Sequence, residues 1–362
     1  MRCSWPACSV HRVHELPSLN KTIIYLDTSI VSNIARARRP PFQRVFDALR
    51  EASYKNVIVC VVSNIAVDEI ELARDGERIL EVARELGTTR VNHELHVRDA
   101  QIWRAFGRFR RGEPPVRETR PPRKDVFDDD VNAWPGMLSF RSHFAARQEE
   151  LDRRRDHKVQ AKSTLEHYYL RYSAEAASFQ EIAARETDGF CQLAGSEVWL
   201  TRRMEYALEE HDGVASSDAG KVVRAWFASA HAKLLPAAVI NGRLHAAVAL
   251  KFRSEKPRPP EEGDVYDIEH LSTYLPYVDV FVTDRFMASV ANQGDVRLAQ
   301  DYGTTVQGLG ERDADRFIQS LTELTTCSQV AALSAAVYDA INAGGFLQEF
   351  VAKARRMYSP SE

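Results

Sequence analysis

The sequence predicts an α/β fold in which buried strands alternate with helices. Three short runs rich in β-branched residues, at 22–26, 56–62 and 278–282, are each followed by a polar residue and then by a helical pattern. Strands that alternate with helices are typical of parallel sheets, whose strands are buried on both faces and therefore almost wholly apolar. The stretch 95–255 breaks this alternation because its pattern is mostly helical. We therefore expect an α/β domain interrupted by a helical insertion.

The composition is that of an ordinary globular protein. The chain has 362 residues, of which 44% are hydrophobic and 27% charged, and its formal net charge is −3. This charge gives no overall basic footprint, so any nucleic-acid binding would have to come from local basic patches. No apolar run approaches the ~18 residues of a membrane-spanning helix, no secretory signal is evident, and the five cysteines are scattered rather than set out as a disulfide framework. We expect a cytoplasmic protein with no membrane contact.

The first predicted strand, 22–26, runs directly into Asp27. In open α/β sheets, ligands bind just beyond the carboxyl ends of the strands, so Asp27 stands where such folds carry out their function. A structural role competes with this interpretation. Asp27-Thr28-Ser29 is a good helix N-cap, and residues 30–37 could be the helix that it caps.

The same pattern recurs late in the chain, where the apolar run 278–282 leads into Thr283 and Asp284. Just upstream, Asp264 and Asp267 are spaced so that they share one face of a helix. This recurrence favours a functional role for Asp27, because two strand-end acids can meet at one edge of a parallel sheet.

A further group of acids follows the strand predicted over 56–62. Ser63 comes directly after that strand, and the helix that begins there carries Asp68, Glu69 and Glu71. Carboxylates brought together at one sheet edge repel one another unless a cation lies among them, and hard oxygen ligands suit Mg²⁺ or Mn²⁺. The sequence therefore predicts a Mg²⁺ or Mn²⁺ site.

In combination, these segments resemble the PIN-like nucleases. The matching pieces are Leu26-Asp27-Thr28-Ser29, the spacing from Ser63 to Glu69, Asp267 on a helix, and Val282-Thr283-Asp284. The resemblance covers 22–75 and 263–310. It implies a parallel αβα sandwich whose four acids bind one or two divalent ions and hydrolyse phosphodiester bonds, usually in RNA.

Carried over residue by residue, the resemblance gives the four acidic places to Asp27, Glu69, Asp267 and Asp284. Ser29 matches the small polar residue that commonly supports the first acid. Glu71 competes with Glu69, but Glu69 has the family's spacing from Ser63. The long stretch between Glu69 and Asp267 departs from the compact family pattern, so substrate and regulation are less well indicated than the metal site.

The chain divides into an N-terminal extension at 1–20, a PIN-like nuclease domain formed by 21–94 and 256–362, and a helical insertion at 95–255. The extension contains Cys3, Cys8, His11 and His14, which are residue types that bind zinc. Their spacing matches no zinc motif, so an irregular extension is the favoured interpretation.

Several residues have two interpretations. Asp264 is either a fifth, accessory metal ligand or a helix N-cap, and His270 either serves the site or is a core or capping histidine. The insertion carries arginines interleaved with aromatic residues, a combination that suits RNA but also fits an ordinary amphipathic helix. These arginines are Arg104, Arg108, Arg110 and Arg111.

Two other classes of protein compete with a nuclease. A phosphatase-like hydrolase would use Asp27 as nucleophile, but such enzymes normally place a second Asp where this chain has Ser29. A non-catalytic module that binds nucleic acid or protein predicts a broken acid set, whereas all four acids are present. The expected partner is nucleic acid, with RNA favoured over DNA, and a second copy of the chain or an inhibitory protein is an open alternative.

Overall fold

The computed structural model of the chain describes residues 21–36, 40–55, 57–63, 66–67, 69–70, 73, 75–127, 131, 148–254 and 258–326. Outside these residues lie the N-terminal extension with its cysteines and histidines, the acidic residues Asp68 and Glu71, and the stretches 329–341 and 345–357, for which the sequence predicts helices.

A sheet of five strands lies at the centre. The strands are Thr22–Leu26 (β1), Ile58–Val62 (β2), Thr89–Arg90 (β3), Val280–Thr283 (β4) and Thr305–Gly308 (β5). They pair in the order β3-β2-β1-β4-β5, and every pair is parallel. The expected α/β fold with a parallel sheet is therefore confirmed.

The strand order creates a topological switch point between β1 and β4. From β1 the chain moves outward through β2 and β3, and it then returns to add β4 and β5 on the opposite side of β1. In open α/β sheets, the crevice beyond the carboxyl ends of two such strands is the usual place for a ligand. The two strands that lead into Asp27 and Asp284 are those that flank this crevice.

Helices enclose the sheet. Those before the long helical stretch are Thr28–Ala35 (α1), Pro40–Tyr54 (α2) and Gly76–Glu85 (α3), with a further short helical segment that includes 66–67 and 69–70. The helical stretch contains Glu94–Arg110 (α4), Gln148–Ala174 (α5), Phe179–Ser196 (α6), Val198–Asp212 (α7), Ser216–Phe227 (α8), Ala230–Lys233 (α9) and Pro236–Phe252 (α10). The last part comprises Asp264–Tyr274 (α11), Arg285–Ala291 (α12), Leu298–Tyr302 (α13) and Glu311–Thr326 (α14).

The alternation of strand side chains produces two cores, one on each face of the sheet. Successive residues of a strand point to opposite faces, so Ile24 and Leu26 pack with α1, α2, α3 and α14. Ile23 and Tyr25 pack on the other face, with residues of α5, α6, α10, α11 and α12. Because both faces are buried, the three central strands β2, β1 and β4 are largely apolar, whereas the edge strands β3 and β5 also carry polar side chains.

The helical stretch takes part in the sandwich and also has a core of its own. Tyr169, Ile182 and Leu244 join the core on the Tyr25 face of the sheet. A third cluster, centred on Phe106 and Trp226, is formed by helices of this stretch. The division of the chain at 94/95 and 255/256 remains a prediction. Among the described residues, no helix combines the length and the apolar character needed to cross a bilayer.

Local differences from the expected elements have identifiable causes. The sequence predicts a last strand over 302–306, but the strand begins at Thr305, because Tyr302 closes α13 and Gly303 adopts a left-handed conformation (φ 66°). The sequence also predicts one helix over 219–235, but this stretch is divided into α8 and α9, and at the break the hydroxyl of Ser229 donates to the carbonyl of Trp226 at 2.6 Å. Pro40 opens α2, where its missing N–H costs no hydrogen bond.

Candidate metal centre

The carboxyl ends of β1 and β4 bring Asp27 and Asp284 to the same edge of the sheet. Asp27 follows Leu26, and its backbone N–H donates to the carbonyl of Val282 in β4 at 3.0 Å. Asp284 follows Thr283, the last residue of β4. Both acids therefore lie beside the switch point, as the sequence predicts.

The carboxylate of Asp27 is held by three donors. Its Oδ1 accepts from the N–H of Thr28 at 2.7 Å, and its Oδ2 accepts from the hydroxyls of Ser29 at 2.9 Å and Thr283 at 3.2 Å. Asp27 is also the N-cap of α1, so the capping and functional interpretations are compatible. Burial would raise the pKa of Asp27, but the neighbouring His270 and the hydrogen bonds from Ser29 and Thr28 hold it below its ordinary value. Asp27 is therefore an anion with a fixed orientation.

A tight group of ligand atoms joins Asp27 to Asp267 and His270. One atom of each residue lies within 4.8 Å of the other two. Asp267 and His270 are three residues apart on α11 and so share a face of this helix. His270 is wholly buried, and its Nδ1 lies 3.4 Å from Oδ1 of Asp27. The sequence left the role of His270 open, and the structure places it in the core and beside the acids at once.

The negative charge around Asp27, Asp267 and His270 is not neutralised by these three residues alone. Burial raises the pKa of Asp267 well above its ordinary value, and the charges of Asp27, Asp284 and Glu69 raise it further. Burial would lower the pKa of His270, but Asp27 and Glu69 outweigh this effect and raise it. Both shifts express an excess of negative charge at one place. A divalent cation would relieve it.

Glu69 approaches the group from the helical segment that follows β2. Ser63 fixes the start of this segment, because its Oγ accepts from the N–H of Ala66 at 3.0 Å and from the hydroxyl of Tyr25 at 2.7 Å. The charge of Glu69 acts on Asp267 and His270, although Glu69 is not one of the three residues with mutually close ligand atoms. The competing Glu71 lies outside the described residues.

Asp284 combines a capping role with proximity to the other acids. Its Oδ1 accepts from the N–H of Met287 at 2.8 Å, which caps α12. Burial raises the pKa of Asp284, and the charge of Asp27 also raises it, against the lowering effect of the Met287 amide. One oxygen of Asp284 thus caps α12, while the negative charge of its carboxylate adds to that of the neighbouring acids.

Asp264 has a different environment from the other acids. Its two oxygens accept from Arg258, at 2.7 and 3.1 Å, and from the N–H of Glu261 at 2.9 Å. It is the first residue of α11, and Gly263 occupies the N-cap position. These contacts tie the segment before α11 to the start of the helix and compete with metal ligation. As an accessory ligand, Asp264 remains a prediction.

The residues fit a divalent cation by their chemistry as well as by their charge. Within the part of the chain that the structure describes, neither ring nitrogen of His270 has a hydrogen-bond partner, although the side chain is wholly buried. Buried polar groups without partners are rare, and an ion is one of the accepted explanations for them. A ring nitrogen of His270 and the clustered carboxylates together form a donor set that suits a metal ion.

Two grooves share Arg285, and one of them is also lined by Asp284. The first has a volume of about 450 Å³, and its lining includes Asp284, Asn33 and Arg258. The second, of about 490 Å³, runs along β5 and is lined in part by Arg316 and Asp313. Arg285 and Arg316 are exposed, and the structure shows no ion pair between either of them and another described residue. These two guanidinium groups are therefore available to anions.

The four arginines within 104–111 are paired with carboxylates. Arg104 contacts Glu118 and Asp125, Arg108 contacts Glu118, Arg110 contacts Asp212, and Arg111 contacts Glu113. The aromatic residues between them pack into the third cluster, with Phe106 fully buried. In the folded chain, α4 is thus an amphipathic helix with packed aromatic residues and paired arginines, as the second of its two interpretations states.

Comparisons with protein-family models, curated proteins and solved structures gave no match for this chain. The PIN-like resemblance therefore depends on the residues and the strand-end arrangement described above.

Proposed function

We propose that this protein is a metal-dependent nuclease of the PIN-like type, which hydrolyses phosphodiester bonds with RNA as the favoured substrate. The observation that carries the proposal is the convergence of Asp27 and Asp267 at the β1/β4 switch point, with Glu69 and Asp284 close enough for their charges to act on the same group. Four carboxylates from three separate parts of the chain support a Mg²⁺ or Mn²⁺ site.

In this proposal each acid has a distinct part. Asp27 is the fixed ligand, because three hydrogen bonds leave its carboxylate little freedom to turn. The charges of Glu69 and Asp284 act on Asp267, and we propose that these three acids share the ion. When bound, a divalent ion stabilises the charge that develops on the phosphate oxygens and makes an attacking water a better nucleophile. The protein then needs no nucleophilic side chain.

An extended polyanion suits the surroundings of the site better than a small phosphate ester does. The two grooves share Arg285, so a chain of several phosphates could follow both of them past Asp284. Arg285 and Arg316 would pair with phosphate oxygens, since guanidinium groups bind phosphate through paired hydrogen bonds. Because the net charge of the chain is −3, binding of nucleic acid would depend on such local basic groups.

The phosphatase-like alternative has less support. A nucleophilic aspartate needs an oxygen that is free to attack, whereas both oxygens of Asp27 accept hydrogen bonds and the residue is 2% exposed. Ser29, which occupies the place of the second aspartate of such enzymes, donates to Asp27 instead. A non-catalytic module with the same fold remains the alternative, and the assay below distinguishes it.

The experiment is incubation of the full chain with labelled single-stranded RNA and single-stranded DNA of the same sequence, in Mg²⁺, in Mn²⁺ and in a chelator. We expect cleavage that requires the ion and is faster for RNA. Asp267→Asn should abolish it, and Asp212→Asn, which alters a carboxylate paired with Arg110, should not. Binding without cleavage in every ion would instead support the non-catalytic module. The RNA preference, the cytoplasmic location, and any inhibitory partner or self-association remain proposals until they are measured.

A further inference from the structure

His270 is a buried polar side chain to which the nuclease proposal gives no role. Its imidazole is wholly buried, and within the described residues neither nitrogen forms a hydrogen bond. The Asp27 carboxylate is 3.4 Å from Nδ1, but the contact lacks the alignment of a hydrogen bond. The ring is tilted against Tyr25, at 5.8 Å between ring centres, and this contact satisfies neither nitrogen. A buried histidine normally has a partner for at least one nitrogen, so this one requires an explanation.

The separation of Nδ1 and Oδ1 suits two ligands on one ion. Ligand atoms bound at ~2.1 Å to the same ion are separated by ~3.0 Å at right angles and by ~3.4 Å in a tetrahedral arrangement. The observed distance is 3.4 Å, and a ligand atom of Asp267 lies within 4.8 Å of both residues. A shift of the Asp267 carboxylate toward Asp27 and His270 would complete a set of three ligands.

A nitrogen ligand changes which ion the site prefers. Mg²⁺ binds oxygen ligands and keeps much of its water, whereas imidazole suits first-row transition ions, whose affinity for nitrogen donors rises along the series from Mn²⁺. A site made from acids alone would not distinguish Mn²⁺ from Mg²⁺ in this way.

We propose that His270 is a direct metal ligand together with Asp27 and Asp267, and that the centre therefore selects a first-row transition ion over Mg²⁺. This inference rests on the metal-binding part of the proposed function and not on cleavage. His270 is fixed for this task by its position one turn after Asp267 on α11, which sets both ligands on the face that meets the end of β1.

The direct test is pulsed EPR of the full chain loaded with Mn²⁺ alone. A coordinated imidazole gives a nitrogen coupling in the Mn²⁺ spectrum, so we expect this coupling in the unaltered protein. A spectrum with bound Mn²⁺ and no nitrogen coupling would overturn the proposal and leave His270 as an ion-pair partner of Asp27. This measurement needs no variant, so it remains decisive even where a substitution prevents folding.

The second test compares ions in matched variants. We expect His270→Gln to lose the nitrogen coupling, to weaken Mn²⁺ binding by about tenfold or more, and to change Mg²⁺ binding by less than about threefold. His245→Gln is the control, because His245 is half-buried on α10 and has the hydroxyl of Tyr169 within hydrogen-bond distance of its Nδ1, at 3.1 Å. Equal losses of Mn²⁺ and Mg²⁺ binding in His270→Gln would contradict the selectivity.

The two proposals fail in different ways. A nitrogen coupling in a protein that cleaves no nucleic acid would refute the nuclease and leave the histidine ligand in place. Mg²⁺-supported cleavage in a protein whose Mn²⁺ spectrum lacks the coupling would refute the histidine ligand and leave the nuclease in place.

Discussion

The hydroxyl of Tyr25 donates to Oγ of Ser63 at 2.7 Å, and this buried hydrogen bond joins the strand that carries Asp27 to the start of the segment that carries Glu69. Ser63 also accepts from the N–H of Ala66, so one oxygen caps the segment and ties it to β1. The position of Asp27 relative to Glu69 therefore depends on the buried hydrogen bond between Tyr25 and Ser63.

Loss of this tie should cost stability in a graded way. Tyr25→Phe removes one donor, and we expect the free energy of unfolding to fall by about 1 kcal/mol. Ser63→Ala removes the cap as well and leaves the Tyr25 hydroxyl buried without a partner, so it should cost about 2–3 kcal/mol. Urea denaturation of both variants checks this order, and an equal or reversed order would show that the hydrogen bond does not couple the two elements.

Asp284→Asn separates ligation from capping. Asparagine caps a helix about as well as aspartate, so folding should be retained, and the loss of one charge from a self-repelling cluster should raise the melting temperature of the metal-free protein. Cleavage should fall by orders of magnitude if Asp284 holds the ion. The measurement is cleavage rate and melting temperature, each with and without metal. Full activity, with an unchanged metal-induced rise in melting temperature, would remove Asp284 from the site.

The raised pKa of Asp267 predicts an unusual dependence of stability on pH. Because the folded protein holds this proton more tightly than the unfolded chain, its stabilising contribution is present below the unfolded pKa of about 4 and is lost as the pH rises through the folded value. In a chelator, Asp267→Asn should therefore gain in melting temperature relative to the unaltered protein between acid and neutral pH. A difference that stays constant over this range would be inconsistent with the shift.

Asp264→Asn should affect folding and not the metal. The substitution removes the charge that pairs with Arg258 in a site where Asp264 is buried, and a broken pair of this kind costs about 3 kcal/mol. Calorimetric titration with Mn²⁺ should give an unchanged affinity at a temperature where the variant is folded. A marked loss of affinity would restore Asp264 as an accessory ligand.

Arg285 and the arginines of α4 should behave differently toward nucleic acid. In a cleavage-deficient Asp267→Asn background, Arg285→Gln should weaken RNA binding and reduce the salt dependence of affinity by about one phosphate contact. Arg111→Gln is the matched control, since Arg111 is exposed but paired with Glu113. An unchanged salt slope in Arg285→Gln would show that the shared groove is not the path of the phosphates.

The strands and the acids could be predicted because their signals are local. A buried parallel strand is apolar along its whole length, and an acid at its carboxyl end stands out in the sequence, as at Asp27 and Asp284. The distance from Ser63 to Glu69 is likewise set by one helical segment. These features depend on few residues beyond their own neighbours, so the sequence suffices to place Asp27 and Asp284 directly after two strands, which pair with each other in the structure.

The parts that could not be predicted depend on contacts between distant segments. His270 follows Asp267 by one helical turn, but only the docking of α11 against β1 turns this shared face toward Asp27. The contact of Asp264 with Arg258 depends on the path of a proline-rich segment, and the pairing of Arg110 with Asp212 joins two helices far apart in the chain. Residue type and spacing alone predict none of these three contacts.

Cleavage of one labelled single-stranded RNA in Mn²⁺, compared between the unaltered protein and Asp27→Asn, tests whether the acid cluster is a catalytic metal centre. Asparagine keeps the shape of Asp27 and its helix cap but removes the charge that the ion would bind. The account predicts cleavage by the unaltered protein, its loss in the chelator, and a fall of several orders of magnitude in Asp27→Asn with the fold intact. Equal cleavage by the two proteins, or metal-independent cleavage, would contradict it.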